Sequence, residues 1–240
     1  APDTATGDAG RYQHDRIDIC DQLAVRSVFE RFQPDAVFHL AAETHVDRSL
    51  DAPTTFFETN VRGSFVLLQE ATRYWSGLTA EARDRFRLIL ISTDEVFGTV
   101  SGDGRFDHKS PYRPNSPYAA TKAAADHLAR AWHVSMGLPV IFTHACNNFG
   151  PYQLPDKLIP RIITRAILGQ ELPIYGNGLQ EREWIWVDDH VRGLMAASKA
   201  GQPGAHYLFG GSSARTNLSV ARDICSRLDD LLPQSIFRPH

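Results

Sequence analysis

Three short apolar runs in the sequence each break into small and polar residues. They lie in "DAVFHLAAETH", "FRLILISTDEVFG" and "LPVIFTHACNNFG", at positions 35–45, 86–98 and 138–150. Apolar runs of this length, without alternation, are typical of strands buried on both faces of a parallel sheet. The stretches between them, 54–75 and 116–137, carry apolar residues three and four positions apart, which predicts helices. Ser116 is a candidate N-cap, with Pro117 at the first helical position.

This alternation of strands and helices predicts an α/β fold with a Rossmann-like, doubly wound parallel sheet. All strands of such a sheet point the same way, so their carboxyl ends share one edge, where ligands bind. We therefore expect "AAETH", "STDE" and "CNNFG" to lie near one another. One polar strand end indicates a turn, whereas three of them with hydrogen-bonding side chains indicate a binding site.

Composition excludes several classes of protein. The formal charge of −3 argues against a nucleic-acid binder, which usually has a basic face. No apolar run is long enough to cross a bilayer, and no signal-peptide pattern opens the chain, so no membrane association is expected. The three cysteines are far apart, and no histidines show a ligand spacing, so we expect no metal site and a cytoplasmic protein with reduced thiols.

Two pairs of residues carry candidate chemistry. Tyr118 and Lys122 are four apart on a predicted helix, so they share one face, where an ammonium would favour the phenolate and make it a usable base. Asp94 and Glu95 follow Thr93 at the end of a predicted buried strand. Adjacent acids in such a place indicate either a polar turn or an acid and a base for one reaction.

At these positions the chain resembles the extended short-chain dehydrogenase/reductase family and, within it, the dTDP-glucose 4,6-dehydratases. The segments that carry the resemblance span most of the chain from about Tyr12, and they include "PDAVFHLAAETHVDRS", "STDEVFG", "SPYAATKAAADHLARAW", "NNFGPYQLPDKLIPRII" and "LPIYGNGLQEREWIWVDDH". The Tyr-x-x-x-Lys pair is typical of the whole superfamily. The Thr-Asp-Glu triplet is the more specific feature, because related epimerases have small hydroxyl residues in place of the two acids.

The resemblance implies an NAD-dependent lyase with a nucleotide-sugar substrate. Tyr118, with Lys122 and Thr93, would deprotonate the sugar 4-hydroxyl while NAD takes the C4 hydride. Glu95 would then remove the C5 proton, and Asp94 would protonate the departing 6-hydroxyl. Hydride return to C6 would give a 4-keto-6-deoxy sugar. The two alternatives are a nucleotide-sugar 4-epimerase, which needs no elimination acid or base, and a non-catalytic nucleotide-sugar-binding relative.

The resemblance also implies the binding residues. The cofactor would contact Tyr118, Lys122, Asp18, Ile19, Ala41, Ala42, Glu43, Thr44, His45, Thr59 and Asn148. The substrate would contact His45, Thr93, Asn147, Lys157, Leu158, Pro173, Ile174, Tyr175, Arg182 and Asn217. For "LPIYGNG" the alternative is a strand and turn in which Tyr175 is merely packed.

The resemblance predicts two parts, an NAD-binding domain over 1–150 and a smaller substrate-binding lobe over 151–240. The glycine-rich turn of the family is absent, so the first βαβ unit is expected to be missing. The final run "LLPQSIFRPH" leaves no closing elements of the family, so the C-terminal part is expected to be missing as well. "YQHDRIDIC" is then the first strand-like run. Family members look like dimers built through four helices, which predicts a homodimer through the helices at 55–75 and 116–137.

Overall fold

The computed structural model describes residues 12–100, 104–212 and 214–232. Its α-helices are α1 (Gln22–Phe32), α2 (Val46–Asp51), α3 (Pro53–Phe56), α4 (Ser64–Ser76), α5 (Ala80–Arg85), α6 (Pro117–Met136), α7 (Leu158–Ile167), α8 (Val187–Ala200) and α9 (Asn217–Leu231). The strands are β1 (Ala36–His39), β2 (Arg87–Thr93), β3 (Val140–Ala145), β4 (Asn147–Phe149), β5 (Glu181–Trp186), β6 (His206–Phe209) and β7 (Ala214–Thr216). A π-helix spans Phe57–Gly63 and a 3₁₀ turn spans Asp94–Phe97. The described residues form two compact units.

One unit contains the sheets and comprises 36–40, 87–100, 104–115, 139–212 and 214–232. Its main sheet has four parallel strands in the order β1-β2-β3-β6. Leu88, Leu90 and Ile141 are fully buried in this sheet. Apolar and polar residues do not alternate in these runs, as is typical of strands that are covered on both faces. The three predicted strands are confirmed, and their parallel pairing brings their carboxyl ends to one edge of the sheet.

The same unit holds a second, smaller sheet in the order β4-β5-β7. Strand β4 runs parallel to β5, and β7 runs antiparallel to it. Helix α7 packs against α9, while α8 packs on strands β2 and β3 of the main sheet.

The other unit is helical and comprises 12–35, 41–86 and 116–138. The Ser116 hydroxyl caps α6 by accepting from the backbone N–H of Ala119 at 3.1 Å, and Pro117 is its first residue, as predicted. Gly137, at φ 78°, ends the helix in the left-handed conformation that favours glycine. Helix α4 packs against both α1 and α6.

One prediction about local structure is wrong. The run "YQHDRIDIC", at 12–20, forms no strand, because none of the described segments pairs with it. Of the alternative for "LPIYGNG", at 172–178, the turn is present at 176–177, but the residues before it are irregular and form no strand. Tyr175 is 57% exposed and therefore not packed.

Candidate active site

The acids at the end of β2 sit on a short turn built by Thr93. The Thr93 hydroxyl donates to Asp94 Oδ1 and accepts from the backbone N–H of Glu95, both at 3.3 Å. Gly98 ends the turn at φ 87°, where a Cβ would lie 2.2 Å from the carbonyl oxygen of Arg113. The sequence therefore folds here into a tight turn that fixes both carboxyl groups just beyond the sheet.

The two carboxyl groups have different electrostatic surroundings. Burial, Glu95 and Glu183 raise the pKa of Asp94 to about 6, while Thr93 and Arg182 oppose the rise. Burial also raises the pKa of Glu95, and the positive charges of Arg182 and Lys157 oppose that rise. Two neighbouring buried carboxyl groups repel each other as anions, so the pair holds a proton more readily than one isolated carboxyl group does.

Some of the predicted substrate contacts, those of the 173–175 turn and Asn217, come together in this unit around Gly178. A Cβ on Gly178, at φ 69°, would lie 2.7 Å from Ile174 Cγ2 and 3.0 Å from Leu218 Cβ. The Gly178 N–H donates to the Tyr175 carbonyl, and the Gly178 carbonyl accepts from Leu218 N–H. The turn that carries Pro173, Ile174 and Tyr175 is thus fastened to the start of α9, where Asn217 lies.

Other polar groups of this unit are partly engaged within the protein. Asn148 donates to the Cys146 carbonyl at 3.1 Å, and its Oδ1 lies 2.8 Å from His190 Nδ1. Burial lowers the pKa of His190 and so keeps the imidazole neutral. Asn147 pairs with Trp184 across the small sheet, and Lys157 is the N-cap residue of α7, which begins at Leu158. Asn217 Oδ1 is buried and has no hydrogen-bond partner among the residues that the structure describes, which leaves an acceptor for a ligand.

Tyr118 and Lys122 lie in the helical unit on the buried face of α6. Tyr118 is 9% exposed, and its ring meets Phe56 edge-on with centroids 6.4 Å apart. Lys122 is 4% exposed, and burial lowers the pKa of its ammonium while Asp126 opposes that effect. A buried cation one helical turn from the phenol is the arrangement that the sequence predicts.

Asn60 organises the remaining predicted cofactor contacts of the helical unit. Its amide accepts from the backbone N–H of Glu43 at 2.8 Å and donates to the Glu43 carbonyl at 3.1 Å. It also donates to Thr121 Oγ1 at 3.0 Å, and Thr121 donates to the Tyr118 carbonyl at 2.8 Å. The segment that contains Ala41, Ala42, Glu43, Thr44 and His45 is thereby fixed to the first turn of α6.

The other two predicted cofactor contacts lie close to the π-helix. The side chain of Ile19 rests on Gly63, where a Cβ would come within 2.5 Å of Ile19 Cδ1. Asp18 accepts from the backbone N–H of Cys20 at 2.8 Å, and Thr59 belongs to the π-helix itself. π-Helical turns are frequent at functional sites. Sequence reasoning treats 54–75 as ordinary helix and therefore misses both the π-helix and the role of Asn60.

No group of three or more His, Cys, Asp or Glu side chains within the described ranges is arranged to hold a metal ion. None of the helices described combines the length and apolar character that crossing a bilayer requires.

Comparisons with known proteins decide the family. A sequence model described as GDP-mannose 4,6 dehydratase matches residues 3–230. A dTDP-glucose 4,6-dehydratase of Escherichia coli is 48% identical over 231 residues, which cover 92% of this chain. The chain belongs to the GDP-mannose 4,6 dehydratase family. It spans 64% of the length of the Escherichia coli relative.

Solved structures of this dehydratase family share the fold. The dTDP-glucose 4,6-dehydratase of Bacillus anthracis, solved in complex with NAD, matches with a TM-score of 0.82 and 34% identity, over 97% of this chain and 68% of that one. The Rossmann-like fold that the sequence predicts is confirmed. A UDP-glucose 4-epimerase of Thermus thermophilus, also with NAD, has a TM-score of 0.80 at 27% identity, over 88% and 67% of the two chains. The fold alone thus does not separate dehydratases from epimerases, and the side chains must do so.

Proposed function

We propose that the protein is a hydro-lyase that converts dTDP-glucose into dTDP-4-keto-6-deoxyglucose. The observation that carries this proposal is the adjacent pair Asp94 and Glu95, two carboxyl groups at the end of β2 whose pKa values are both raised by burial, so that the pair can supply an acid and a base. Removing water from neighbouring carbons needs an acid for the leaving hydroxyl and a base for the C–H proton. The dehydratases of similar sequence support the choice of substrate.

In this proposal, Tyr118 begins the reaction by taking the proton of the sugar 4-hydroxyl. Lys122 stabilises the phenolate, because a cation one turn away favours the charged form of the phenol. Thr93 holds the 4-oxygen by a hydrogen bond. The ketone that forms at C4 acidifies the hydrogen at C5. Glu95 removes that proton, and Asp94 protonates the 6-hydroxyl, so that one water leaves. When the hydride returns to C6, a proton must return to C5, and Glu95 is the group proposed to deliver it.

The groups of the helical unit fit NAD by the chemistry of their donors. Lys122 offers ammonium N–H groups and Tyr118 a phenolic O–H, which suit ribose hydroxyls. Asn60 bonds both backbone groups of Glu43 and so fixes the conformation of the segment around it. We propose that this segment lines the cofactor site. We propose that these residues, with Asp18, Ile19, Thr59 and Asn148, hold NAD. When bound, NAD accepts a hydride from C4 and returns it to C6.

We propose that the residues from about 151 onward form a substrate-binding lobe, which holds most of the nucleotide diphosphate. The residues before 151 mainly bind the cofactor. Lys157 and Arg182 supply positive charge, and the exposed Tyr175 offers a flat surface to the base. Arg182 already donates to the Glu181 carbonyl at 2.8 Å, which orients its guanidinium. Pro173, Ile174, Leu158, Asn147 and Asn217 complete the proposed contacts, and His45 is proposed to contact the sugar.

Replacing Arg182 with Lys is expected to weaken binding of the substrate diphosphate. The positive charge is kept, but the planar fork that bonds two oxygens is lost. We expect the Kd for thymidine diphosphate, measured by calorimetry, to rise by about tenfold, the equivalent of one charge-assisted hydrogen bond. Arg192→Lys is the control, since Arg192 lies on α8 in a surface pair with Asp189. An unchanged Kd in the Arg182 variant would remove Arg182 from the substrate site.

We also propose a homodimer through α4 and α6. Phe57 and Phe65 are 53% and 39% exposed, and Phe65 meets Trp132 edge-on at 5.5 Å between ring centroids. These aromatic groups suit the four-helix contact of a two-fold dimer. Phe65→Asp should convert a dimer into a monomer in sedimentation, whereas Leu23→Asp, on α1, should not. A monomeric parent protein would count against the dimer.

A cytoplasmic location is proposed on the cysteines. Cys20, Cys146 and Cys225 are all free thiols, as is usual for proteins of reducing compartments.

A further inference from the structure

Glu183 is a half-buried carboxylate of the small sheet. The reaction scheme above gives it no role. It lies on β5 beside Arg182 and pairs across to Ala214 of β7. Its Oε1 accepts from the backbone N–H of Ser212 at 2.6 Å. A Cβ on Gly210 would lie 2.9–3.0 Å from the atoms of the Glu183 carboxylate. The carboxylate therefore rests directly on the loop 210–212 and fixes it.

That loop lies at the same sheet edge as the proposed acid. Thr93 of β2, Ala145 of β3 and Phe209 of β6 are in register across three neighbouring strands. The residues that follow them, Asp94, Cys146 and Gly210, therefore leave the sheet side by side. The Cys146 N–H donates to the Phe209 carbonyl at 3.0 Å, which ties the residue before the loop to the end of β3.

The loop 210–212 runs against β5. A Cβ on Gly211 would lie 1.7 Å from the Trp184 carbonyl oxygen, so the two backbones are in close contact. Glu183 thus contacts a loop that follows β6 at the edge where Asp94 lies.

We propose, on the basis of the proposed dehydration, that Glu183 is a positioning residue for the acid Asp94, acting through its negative charge and through the loop 210–212. The charged and titratable groups that act on Asp94 in this unit are Glu95, Glu183 and Arg182, with the Thr93 hydroxyl as its hydrogen-bond donor. Glu183 raises the pKa of Asp94 and also that of the Cys146 thiol, which burial brings to about 12. Glu183 is therefore one of the negative charges that favour the protonated form of Asp94.

Three variants separate the charge of Glu183 from its hydrogen bond. Glu183→Gln keeps an oxygen that can accept from Ser212 N–H but removes the charge. Glu183→Asp keeps the charge and shortens the side chain. Glu181→Gln removes the same charge from an exposed position two residues away on β5 and is the matched control.

The measurement is the titration of the Asp94 carboxyl by carbon-13 NMR in the purified protein, assigned by the signal lost in Asp94→Asn. We expect a midpoint near the value of about 6 in the parent protein, and a decrease of roughly half a pH unit in Glu183→Gln. Glu181→Gln and Glu183→Asp should stay near the parent value. Elimination needs protonated Asp94 and is lost as the pH rises through the Asp94 midpoint. The pH at which this loss occurs should therefore decrease together with that midpoint.

An unchanged Asp94 midpoint in Glu183→Gln would overturn the proposal, as would an equal decrease in Glu183→Asp. If the parent protein makes no 4-keto-6-deoxy sugar and Glu183→Gln still shifts Asp94, the dehydration is contradicted. The electrostatic effect of Glu183 on Asp94 is then supported by itself.

Discussion

Glu95→Gln is expected to slow the loss of water by roughly 10²–10⁴-fold, the usual contribution of one positioned general base. Oxidation at C4 should be nearly unaffected, because that step uses Tyr118, Lys122 and Thr93. The protein incubated with dTDP-glucose should therefore show the absorbance of reduced nicotinamide and little 4-keto-6-deoxy product. Product at the normal rate would mean that Glu95 is not the base.

Asp94→Asn is the matched variant for that experiment. It should also impair the loss of water, because the 6-hydroxyl leaves without a proton donor. Glu95 remains, however, so the C5 hydrogen should still exchange with solvent deuterium. Exchange should be suppressed in Glu95→Gln and retained in Asp94→Asn. Equal exchange in both would return the two acids to the alternative of a polar turn.

Glu70→Gln is expected to lower the free energy of unfolding by roughly 2 kcal/mol, because it removes the charge of a buried carboxylate that binds two partly exposed arginines. Glu70 is 1% exposed and accepts from Arg26 at 2.9 and 3.0 Å, from Arg73 at 3.0 Å and from Gln22 at 2.7 Å. The amide keeps the size of the side chain but loses the charge and directs N–H groups at guanidinium donors. Urea denaturation at neutral pH measures the loss.

The pH dependence of this difference follows from the carboxyl of Glu70. Its hydrogen bonds, the one from Arg26 first, lower its pKa from 4.5 to about 2 in the folded protein. The stabilisation is therefore complete above about 4.5 and is lost as the pH falls towards about 2. Glu30→Gln is the control, since Glu30 pairs with Arg73 at 58% exposure and should matter little. Equal denaturation midpoints for Glu70→Gln and the parent protein would contradict this role of Glu70.

Three of the four strands of the main sheet, β1, β2 and β3, could be predicted from the sequence because each contains a continuous apolar run, whereas β6 was not predicted. Leu88 to Leu90, with the equivalent residues of β3, leave no alternative to burial on both faces. The start of α6 was equally predictable, since Ser116 and Pro117 are local signals whose geometry depends on their own turn. The order of the strands then places Thr93 and Ala145 at one edge without further information.

Other features depend on contacts that no local pattern encodes. The π-helix at 57–63 reads as ordinary helix, because one extra residue in a turn leaves the apolar spacing almost unchanged. Residues 12–18 read as a strand, although only a partner strand could make them one. No local pattern marks Glu70 or Glu183, because their contacts are with Arg26 and Ser212, which lie 44 and 29 residues away in the chain.

The fate of the hydrogen at C4 tests the proposed dehydration most directly. dTDP-glucose that carries deuterium at C4 is incubated with the protein and NAD, and the sugar is examined by proton NMR and mass spectrometry. We expect a 4-keto-6-deoxy sugar, one water lighter, with the deuterium at C6 and a solvent-derived hydrogen at C5. A 4-epimer of unchanged elemental composition with the deuterium still at C4 would make the protein an epimerase, and unaltered dTDP-glucose would make it a binding protein; either result would contradict the account.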